Sequence, residues 1–358
     1  MSTRCAVVGA TGIAGQQFLS ALADHPFLEV SRLAASSRSA GRKYVDALRQ
    51  ENGQVSWYVE ANLLDRYADI EVHEAEKMPL EGLDLVFSAV ETNAARGLEA
   101  RFAEQLPVVS TASAFRYEPD VPIIIPAVNG DHAGLLAEQR ENRGWRGYVV
   151  PIPNCTTTGL AIALAPLHRA FGVERVVMTS LQAVSGAGRT PGVSSMDIID
   201  NIVPFIPKEE EKVERETQKL LGAFAENGIT PAEFPVSATC TRVPVLEAHT
   251  EAVTVALSNP ASVDEVREAM VAFGGDINPG THPSAPERWL TLHEDPFRPQ
   301  PRVDRDADGG MTTSVGRLRR ETVLGQGVRF LLVSHNTKMG AAKGAILVAE
   351  DLKLRGWL

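Results

Sequence analysis

The chain has 358 residues, 44% apolar and 22% charged, a composition typical of globular proteins and a length that suits two domains better than one core. The formal net charge of −10 at pH 7 disfavours a nucleic-acid partner, and no apolar run approaches the roughly 20 residues of a membrane helix. Three cysteines without a CxxC pair disfavour a disulfide framework and structural zinc, so we expect a reducing cytoplasmic setting and no metal.

The first part of the chain alternates strand-like and helical segments. Residues 4–8 form an apolar run without the longer apolar stretch of a secretory signal, and residues 16–23 have helical spacing. Alternation of this kind predicts a parallel, doubly wound α/β sheet. Further strands of this sheet are expected at 28–35, 83–90, 108–110 and 123–125.

The pattern changes after about residue 173. A helix is predicted over 155–171, and longer strand-like runs then mix with a glycine-rich loop, which is typical of an α+β domain. The predicted elements are strands at 176–183, 249–256 and 328–334, a helix at 209–221, a loop rich in proline and charge at 274–308, and a last helix at 340–352.

Glycines recur at spacings of three in the turn formed by Gly9, Gly12 and Gly15, directly after the first strand. Such glycines let the backbone turn tightly and approach a pyrophosphate, whose charge then meets the N-terminus of the following helix. A plain strand-to-helix turn is the alternative. The position at the start of an alternating α/β pattern favours dinucleotide binding.

The segment after the second strand favours NADP over NAD. An NAD site places an Asp or Glu there to bind the ribose hydroxyls. Residues 34–42 contain no acid, but they offer hydroxyl groups and two guanidinium groups that suit a 2′-phosphate, on Ser36, Ser37, Ser39, Arg38 and Arg42. A solvated basic loop is the alternative interpretation.

Asn154 and Cys155 precede the apolar helix predicted over 155–171. Asparagine is a good helix-capping residue, so Cys155 is expected in the first turn, where the partial positive charge of the helix favours the nucleophilic thiolate. A small buried cysteine is the alternative, and it is the expectation for Cys5 and Cys240.

A second pattern runs from Cys240 through Arg242 to His249, with a bend at Pro244. It offers a cation and an imidazole seven residues apart. Taken alone, a histidine at the start of a strand is more often structural or exposed than catalytic. Spacing does not place His249 against Cys155.

These segments together resemble the aspartate-semialdehyde dehydrogenase family, particularly its archaeal and fungal type. The resemblance covers nearly the whole chain, and the pieces occur in the family's order. They are GATGIAG at 9–15, SSRSAG at 36–41, SAFR at 113–116, PNCTTTGLA at 153–161, LQAVSGAG at 181–188, DIIDNIVPFIPKEEEKVERET at 197–217, TRVPVLEAHTE at 241–251, FRPQPRVDRDADGGMTTSVGR at 297–317 and SHNTKMGAA at 334–342.

The resemblance implies an oxidoreductase that interconverts β-aspartyl phosphate and aspartate β-semialdehyde with NADP, in the biosynthesis of lysine, threonine and methionine. It implies a Rossmann-type NADP-binding domain at 1–154, completed by a C-terminal helix at 337–358. The α+β catalytic and dimerisation domain would span 155–336. Homodimers or homotetramers are expected, with aspartate semialdehyde and inorganic phosphate as the small-molecule substrates.

The resemblance also implies roles for single residues. Cys155 is the nucleophile beside Asn154, Gln182 orients the acyl-enzyme, and His249 is the acid/base catalyst. Contacts to substrate are implied for Arg242 (carboxylate), Glu209 (amine), and Arg116 with Lys212 (phosphate). The implied cofactor contacts are Gly9, Thr11, Gly12, Ile13, Gly15, Ser36, Ser37, Arg38, Ser39, Ser88, Gly186, Gly188 and Asn336.

The chain departs from the family pattern at three places, and the third is Ala127, which stands where an acid is common. Ala248 stands where relatives of this type usually carry glycine before the histidine, and Arg189-Thr190 replaces a tyrosine, or a serine and a leucine. A related reductase of an acyl-CoA such as malonyl-CoA, a reductase of N-acetylglutamyl phosphate and a non-catalytic dinucleotide-binding regulator are the alternatives. Which carboxylate of the run 209–211 faces the substrate amine stays open.

Overall fold

Two six-stranded sheets organise the chain in the computed structural model, which describes residues 2–59, 61–188, 192–225 and 228–358. The backbone divides into two compact units. The first unit comprises Met1–Pro122, Ala133–Ile152 and Ala345–Leu358, and the second comprises Ile123–His132 and Pro153–Gly344.

The strands are, in chain order, β1 (Thr3–Val8), β2 (Leu28–Ala35), β3 (Val72–Glu74), β4 (Leu85–Ser88), β5 (Pro107–Ser110), β6 (Tyr148–Pro151), β7 (Val173–Gln182), β8 (Ala223–Ala225), β9 (Gly228–Thr230), β10 (Val236–Arg242), β11 (His249–Leu257), β12 (Leu290–His293), β13 (Thr313–Glu321) and β14 (Gly327–Ser334). The α-helices are α1 (Ile13–Leu22), α2 (Tyr44–Ala47), α3 (Leu64–Tyr67), α4 (Thr92–Ala103), α5 (Pro126–Asn129), α6 (Leu135–Arg143), α7 (Cys155–Phe171), α8 (Ser195–Ile198), α9 (Glu209–Leu220), α10 (Val263–Val271), α11 (Pro301–Asp304) and α12 (Ala342–Leu354).

The sheet of the first unit has the order β3-β2-β1-β4-β5-β6, and every pairing in it is parallel. This is the strand order of a doubly wound Rossmann sheet, in which ligands bind outside the carboxyl ends of the strands, where the order reverses. The reversal lies between β1 and β4. The glycine turn follows β1, Ser88 ends β4, and Ser110 ends β5, so these features share one edge of the sheet.

The sheet of the second unit has the order β10-β7-β11-β14-β13-β12 and is mixed, because β10 with β7 and β12 with β13 are parallel while the other neighbours are antiparallel. Side chains of β7 alternate between exposed and buried from Arg175 onward. Helices α7, α9 and α10 contact strands of this sheet. The predicted fold class, a Rossmann-type domain with an α+β partner, is therefore confirmed.

The strand predicted at 123–125 is wrong. Ile123, Ile124 and Ile125 are buried as expected, but their backbone leads into α5 instead of pairing in a sheet. The amide of Asn129 replaces the missing strand partner, because Ile125 N donates to Oδ1 at 2.9 Å and Nδ2 donates to Ile123 O at 2.7 Å. A side chain six residues away thus satisfies groups that a buried backbone cannot leave unpaired.

The loop predicted at 274–308 is also only partly right, because β12 and α11 lie inside it. Polar residues are interspersed in strands β10 and β13, and the sequences VSATCTR and TSVGRLRRE gave no prediction. No prediction covered α4, α6, α10 or β6. The long elements that were predicted match to within a few residues at each end.

We expect Asn129→Ala to lower the free energy of unfolding by about 1–3 kcal/mol, since two buried backbone groups lose their partner. Chemical denaturation of the purified chain measures this difference. Asn142→Ala is the matched control, because Asn142 is exposed and its amide only reaches Glu138 at 3.4 Å. An equal, small effect of both substitutions would show that Asn129 does not hold this segment.

Candidate active site

Cys155 is the first residue of α7, and the side chain of Asn154 fixes that start. Asn154 Oδ1 accepts from the backbone N–H groups of Thr156 at 2.9 Å and Thr157 at 3.2 Å. These are donors that a helix cannot satisfy internally. The cysteine thus lies where the helix presents unpaired N–H groups and partial positive charge, as the sequence predicts.

Two buried glutamates of α9 hold Asn154 in turn. Its Nδ2 donates to Glu209 Oε1 at 2.8 Å, and its backbone N donates to Glu216 Oε2 at 2.6 Å. Sequence reasoning missed Glu216. The available signal was spacing, since Glu216 lies seven residues after Glu209 on the helix face that also buries Val213 and Leu220.

His249 is the first residue of β11, and its Nε2 lies 3.2 Å from Cys155 Sγ. Its other ring nitrogen, Nδ1, accepts from the backbone N–H of Ala183 at 3.1 Å. Because Nδ1 is thereby an acceptor, the neutral imidazole carries its proton on Nε2, pointed at the sulfur. Complete burial, and then the charge of Arg242, lower the pKa of His249 to about 3.

Arg242 ends β10 beside Gln182, its register partner at the end of β7. The guanidinium is buried, and Nη1 donates to Ala183 O at 2.8 Å. Burial lowers the pKa of Arg242, while Cys155 and Glu209 oppose that shift. Arginine keeps its charge in proteins, so the site holds a cation that lacks full hydration.

Gly186 lines the same site, since a Cβ added there would lie 2.9 Å from Arg242 Nη1 and 3.1 Å from His249 Cε1. Any larger residue would therefore enter the space between the guanidinium and the imidazole. Gln182 is buried, and its Nε2 donates to Ser180 Oγ at 3.1 Å. Gly188 has a φ of +67°. Arg189 and Thr190, the second departure from the family pattern, lie outside the described residues.

Of the three consecutive glutamates, Glu209 is the one beside Asn154. Its Oε2 lies 3.3 Å from Lys212 Nζ, one helical turn later. Glu210 instead accepts from the backbone of Cys240, and Glu211 is exposed. The structure thus brings Glu209 and Lys212 together at the start of α9.

Asn336 links the residue before His249 to the residue before Gly186. Its Oδ1 accepts from Ala248 N at 2.8 Å, and its Nδ2 donates to Ser185 Oγ at 2.8 Å. Ala248 has a φ of +75°, in the left-handed region that costs a residue with a Cβ about 1–2 kcal/mol. Glycine would adopt this backbone conformation without that cost.

The glycine turn of the first unit leaves no room for a side chain at two of its three glycines. Gly9 has a φ of +83°, and a Cβ added there would lie 2.3 Å from Ala89 O; one added at Gly15 would lie 2.2 Å from Gly9 O. Gly12 is the N-cap of α1, which begins at Ile13 after Thr11. The start of a helix carries partial positive charge, which favours an anion at this end of α1.

The other residues expected at the cofactor also belong to the first unit. Ser36, Ser37 and Arg38 are exposed directly after β2, while Ser39 is buried. The hydroxyl of Ser88 is committed inside the protein, because it donates to Glu99 at 2.7 Å. Arg116 belongs to this unit as well; it is buried, and its Nη2 donates to Thr111 O at 2.9 Å.

None of the helices in residues 2–59, 61–188, 192–225 and 228–358 is long and apolar enough to cross a membrane. Within the same ranges, histidine, cysteine and carboxylate side chains form no group of three placed to hold a metal ion.

Comparison with known proteins matched two family models, described as the NAD binding domain of semialdehyde dehydrogenase over residues 4–135 and its dimerisation domain over 164–339. Aspartate-semialdehyde dehydrogenase of Methanothermobacter thermautotrophicus is 47% identical, with 96% of this chain and 97% of that protein covered. The enzyme of Candida albicans is 42% identical, with 98% of each covered.

Solved structures of such enzymes superpose along the whole chain. The crystal structure of the Candida albicans enzyme with NADP matches with a TM-score of 0.88 and 39% identity, covering 100% of both chains. The structure of aspartate-semialdehyde dehydrogenase II from Vibrio cholerae, complexed with ASA, matches with a TM-score of 0.77 and 26% identity, again over 100% of both chains.

Ala248→Gly should raise the free energy of unfolding by about 0.5–1 kcal/mol, because glycine adopts the left-handed backbone conformation without a Cβ clash. Ala252→Gly, on an exposed position of the same strand β11, is the control and should lower it by a similar amount. Urea denaturation of both variants measures these changes in the free energy of unfolding. Destabilisation by Ala248→Gly would mean that its backbone is not strained.

Proposed function

The chain belongs to the aspartate-semialdehyde dehydrogenase family, and from that premise we propose that it is an NADP-dependent aspartate-β-semialdehyde dehydrogenase acting through a thioester on Cys155. The single observation that carries this proposal is the 3.2 Å contact between Cys155 Sγ and His249 Nε2, next to the buried cation Arg242. A thiol, an imidazole and a cation converging at a helix start form a site for acyl chemistry.

We assign substrate recognition to Arg242 and Glu209. The planar guanidinium of Arg242 can make two parallel bonds to the α-carboxylate. Glu209, held by Asn154 and Lys212, offers a carboxylate to the substrate amine. A free amino acid with both groups fits this charge pair. An N-acetylated substrate carries no ammonium group for the carboxylate.

In the biosynthetic direction the Cys155 thiolate attacks the acyl carbon of β-aspartyl phosphate. The sulfur–carbon bond forms, the carbon–oxygen bond to phosphate breaks, and phosphate leaves from a thioester. Reduction at the thioester carbon places negative charge on its oxygen. Collapse then breaks the sulfur–carbon bond, which releases aspartate semialdehyde and restores the thiolate. Covalent catalysis divides one difficult step into two easier ones.

His249 serves this sequence as a hydrogen-bond donor with a fixed proton. The N–H of Ala183 keeps Nδ1 an acceptor, so Nε2–H faces first the thiolate and then the oxygen on the carbon bonded to sulfur. Charge stays balanced at every stage without a proton leaving the ring. We therefore refine the acid/base role that the family resemblance implies into stabilisation of the developing oxyanion.

Cofactor recognition is assigned to the glycine turn and the loop after β2. NADP, when bound, supplies or accepts the hydride. Gly9, Gly12 and Gly15 let the backbone approach the pyrophosphate, and the exposed Ser37 and Arg38 reach the 2′-phosphate, with no acid between residues 34 and 42. The Candida albicans relative, 42% identical along the chain, is known with NADP.

Inorganic phosphate is the proposed second substrate, and Arg116 and Lys212 are the cations that the family resemblance implies for it. An acidic chain must bind this anion through local cations, and a buried arginine is suited to two parallel bonds. The match to a dimerisation domain supports assembly as a homodimer or homotetramer. We place the enzyme in the cytoplasm, in the aspartate family of amino-acid biosynthesis.

We expect NADP reduction by aspartate semialdehyde to require inorganic phosphate, with a higher kcat/KM for NADP than for NAD. Steady-state kinetics with both cofactors, with and without phosphate, measure this. The comparison assay uses malonate semialdehyde in place of aspartate semialdehyde and CoA in place of phosphate. Robust CoA-dependent turnover without phosphate would place the chain among acyl-CoA reductases, and no turnover with either acyl acceptor would leave a non-catalytic regulator.

His249→Ala should lower kcat by about 10²–10⁴-fold with little change in KM, and His249→Gln should keep more activity, since its amide can place an N–H near Nε2. Because burial holds the pKa of His249 at about 3, the imidazole is neutral throughout pH 5–8. The wild-type kcat should therefore show no loss from histidine protonation as pH falls through that range.

His168→Gln is the matched control, because its Nδ1 also accepts a backbone N–H, that of Val173 at 3.3 Å, on the far end of α7. It should leave kcat unchanged. A wild-type step near pH 6.5 that disappears in His249→Gln would contradict the fixed-proton role and restore proton transfer by the imidazole.

A further inference from the structure

A cleft at the edge of the mixed sheet is lined by cations, although the chain is acidic as a whole. It has a volume of about 300 Å³ and lies entirely within the second unit. Helix α10 contributes Arg267 to its lining, β13 contributes Arg317 and Arg319, and the end of β12 contributes His293 and Glu294. The cleft shares no residue with the candidate active site, so the proposed chemistry does not account for these cations.

Arg317 lies at an irregularity of β13 and has a strained backbone. The register of β13 against β14 shifts between Gly316 and Arg319, and Arg317 has a φ of +58°. This left-handed conformation favours glycine, because a Cβ is crowded there. Bulges redirect side chains next to functional sites, and backbone strain concentrates at such sites. Here the side chain on the strained backbone lines the cleft.

Like charges lie close together beside the cleft. Arg319 and Arg329 are register partners on the antiparallel strands β13 and β14, a position in which like charges are destabilising. Nη1 of Arg319 donates to the carbonyl of Arg317 at 2.6 Å, which holds the guanidinium near that residue. Burial, followed by the charges of Arg329 and Arg317, lowers the pKa of Arg319. An anion in the cleft would relieve this repulsion.

The carboxylate of Glu294 is too little to neutralise the lining of the cleft. Across the part of the chain that the structure describes, no ion pair is formed by Arg267, Arg317 or Arg319. Arginine keeps its charge in proteins. Three guanidinium groups and one carboxylate therefore leave the lining with an excess of two positive charges.

The nearest other acidic groups have partners of their own. Asp304 lies 3.5 Å from His293, but Arg298 Nε donates to both of its carboxylate oxygens, at 3.0 and 2.9 Å. Glu321 lies 3.7 Å from Arg329 Nε and also accepts a backbone N–H group at 2.9 Å. Neither carboxylate lines the cleft, so its arginines keep donors for a ligand.

We propose that this cleft binds a small ligand carrying a diphosphate group. Arg267 lines it from a helix, and Arg317 and Arg319 line it from a strand, so cations on two walls can hold two neighbouring anionic groups. A guanidinium group binds phosphate oxygens through two parallel hydrogen bonds. The volume lies at the lower end of the range for small-molecule sites. Inorganic pyrophosphate and a nucleoside diphosphate share this chemistry.

Isothermal titration of inorganic pyrophosphate into the intact chain, in buffer without phosphate or metal ions, tests the proposal. Arg267→Leu and Arg319→Leu should each lower the affinity about tenfold, since each removes charge-assisted hydrogen bonds. Arg288→Leu is the matched control, because Arg288 is exposed just before the opposite end of β12. It should bind as the wild type does. Arg116→Leu should also keep this binding, which separates the cleft from the phosphate site that the family resemblance implies.

ADP and sulfate show which part of the ligand is recognised. ADP should bind in the wild type and lose affinity in Arg267→Leu, and its rank against pyrophosphate distinguishes a nucleotide from an inorganic ligand. Either rank supports the diphosphate site. Sulfate has one anionic centre and should bind about tenfold more weakly than pyrophosphate. Equal affinities for sulfate and pyrophosphate would contradict a site built for two anionic groups.

Two further variants change binding in directions that damage to the fold does not produce. Glu294→Gln removes the carboxylate of the cleft and should raise the affinity for pyrophosphate about two- to fivefold. Glu287→Gln, exposed before the start of β12, is its control and should have no effect. Arg317→Gly should raise the melting temperature, since glycine fits the left-handed backbone, and yet lower the affinity about tenfold.

Pyrophosphate binding that is absent, or that Arg267→Leu, Arg319→Leu and Arg317→Gly all leave unchanged, would overturn the inference. Sedimentation of the same variants adds one more outcome. Dissociation of an oligomer by Arg319→Leu would assign the cleft to a contact between copies of the chain and would equally overturn it. The titration needs no turnover, so a failed dehydrogenase assay bears on the proposed function alone.

Discussion

The cap that Asn154 places on α7 is the interaction on which the rest of the site depends. One amide satisfies two N–H groups of the first turn and also binds Glu209, so it fixes the start of α7 against α9. Cys155 can face His249 at 3.2 Å only because the helix begins there. The mixed sheet supplies the other side of the site, because Gln182 ends β7 and its register partner Arg242 ends β10.

The behaviour of the charged groups in this protein depends on their local burial and not on the overall composition. The chain is acidic, yet the anion sites of the proposed chemistry use Arg242 and Arg116, both buried and held by backbone carbonyls. His249 lies beside one of these cations and stays neutral because it is buried. Burial likewise raises the pKa of Glu99 to about 7, and the charge of Arg116 is the smallest of the influences that oppose this shift. Burial is thus the main influence on the ionisation of both groups.

Patterns within short segments of the sequence predicted the features that depend on residues close together in the chain. The alternation of strands and helices predicted the parallel sheet, asparagine before an apolar helix predicted the position of Cys155, and the ordered motifs predicted the family, which the comparisons confirm. The misprediction at 123–125, and the contacts of Glu216 and Glu99, depend on partners that lie on other elements. Spacing could have placed Glu216 on the buried face of α9, but it could not indicate which group this side chain would bind.

The central claim, a thioester on Cys155 that phosphate cleaves, is tested most directly by mixing enzyme, aspartate semialdehyde and NADP without phosphate. The account predicts a rapid burst of NADPH equal to the number of active sites, then near arrest. Mass spectrometry of the quenched protein should find the acyl group on the peptide containing Cys155, and added phosphate should remove it. Steady turnover without phosphate, or an acyl group on another residue, would contradict the account.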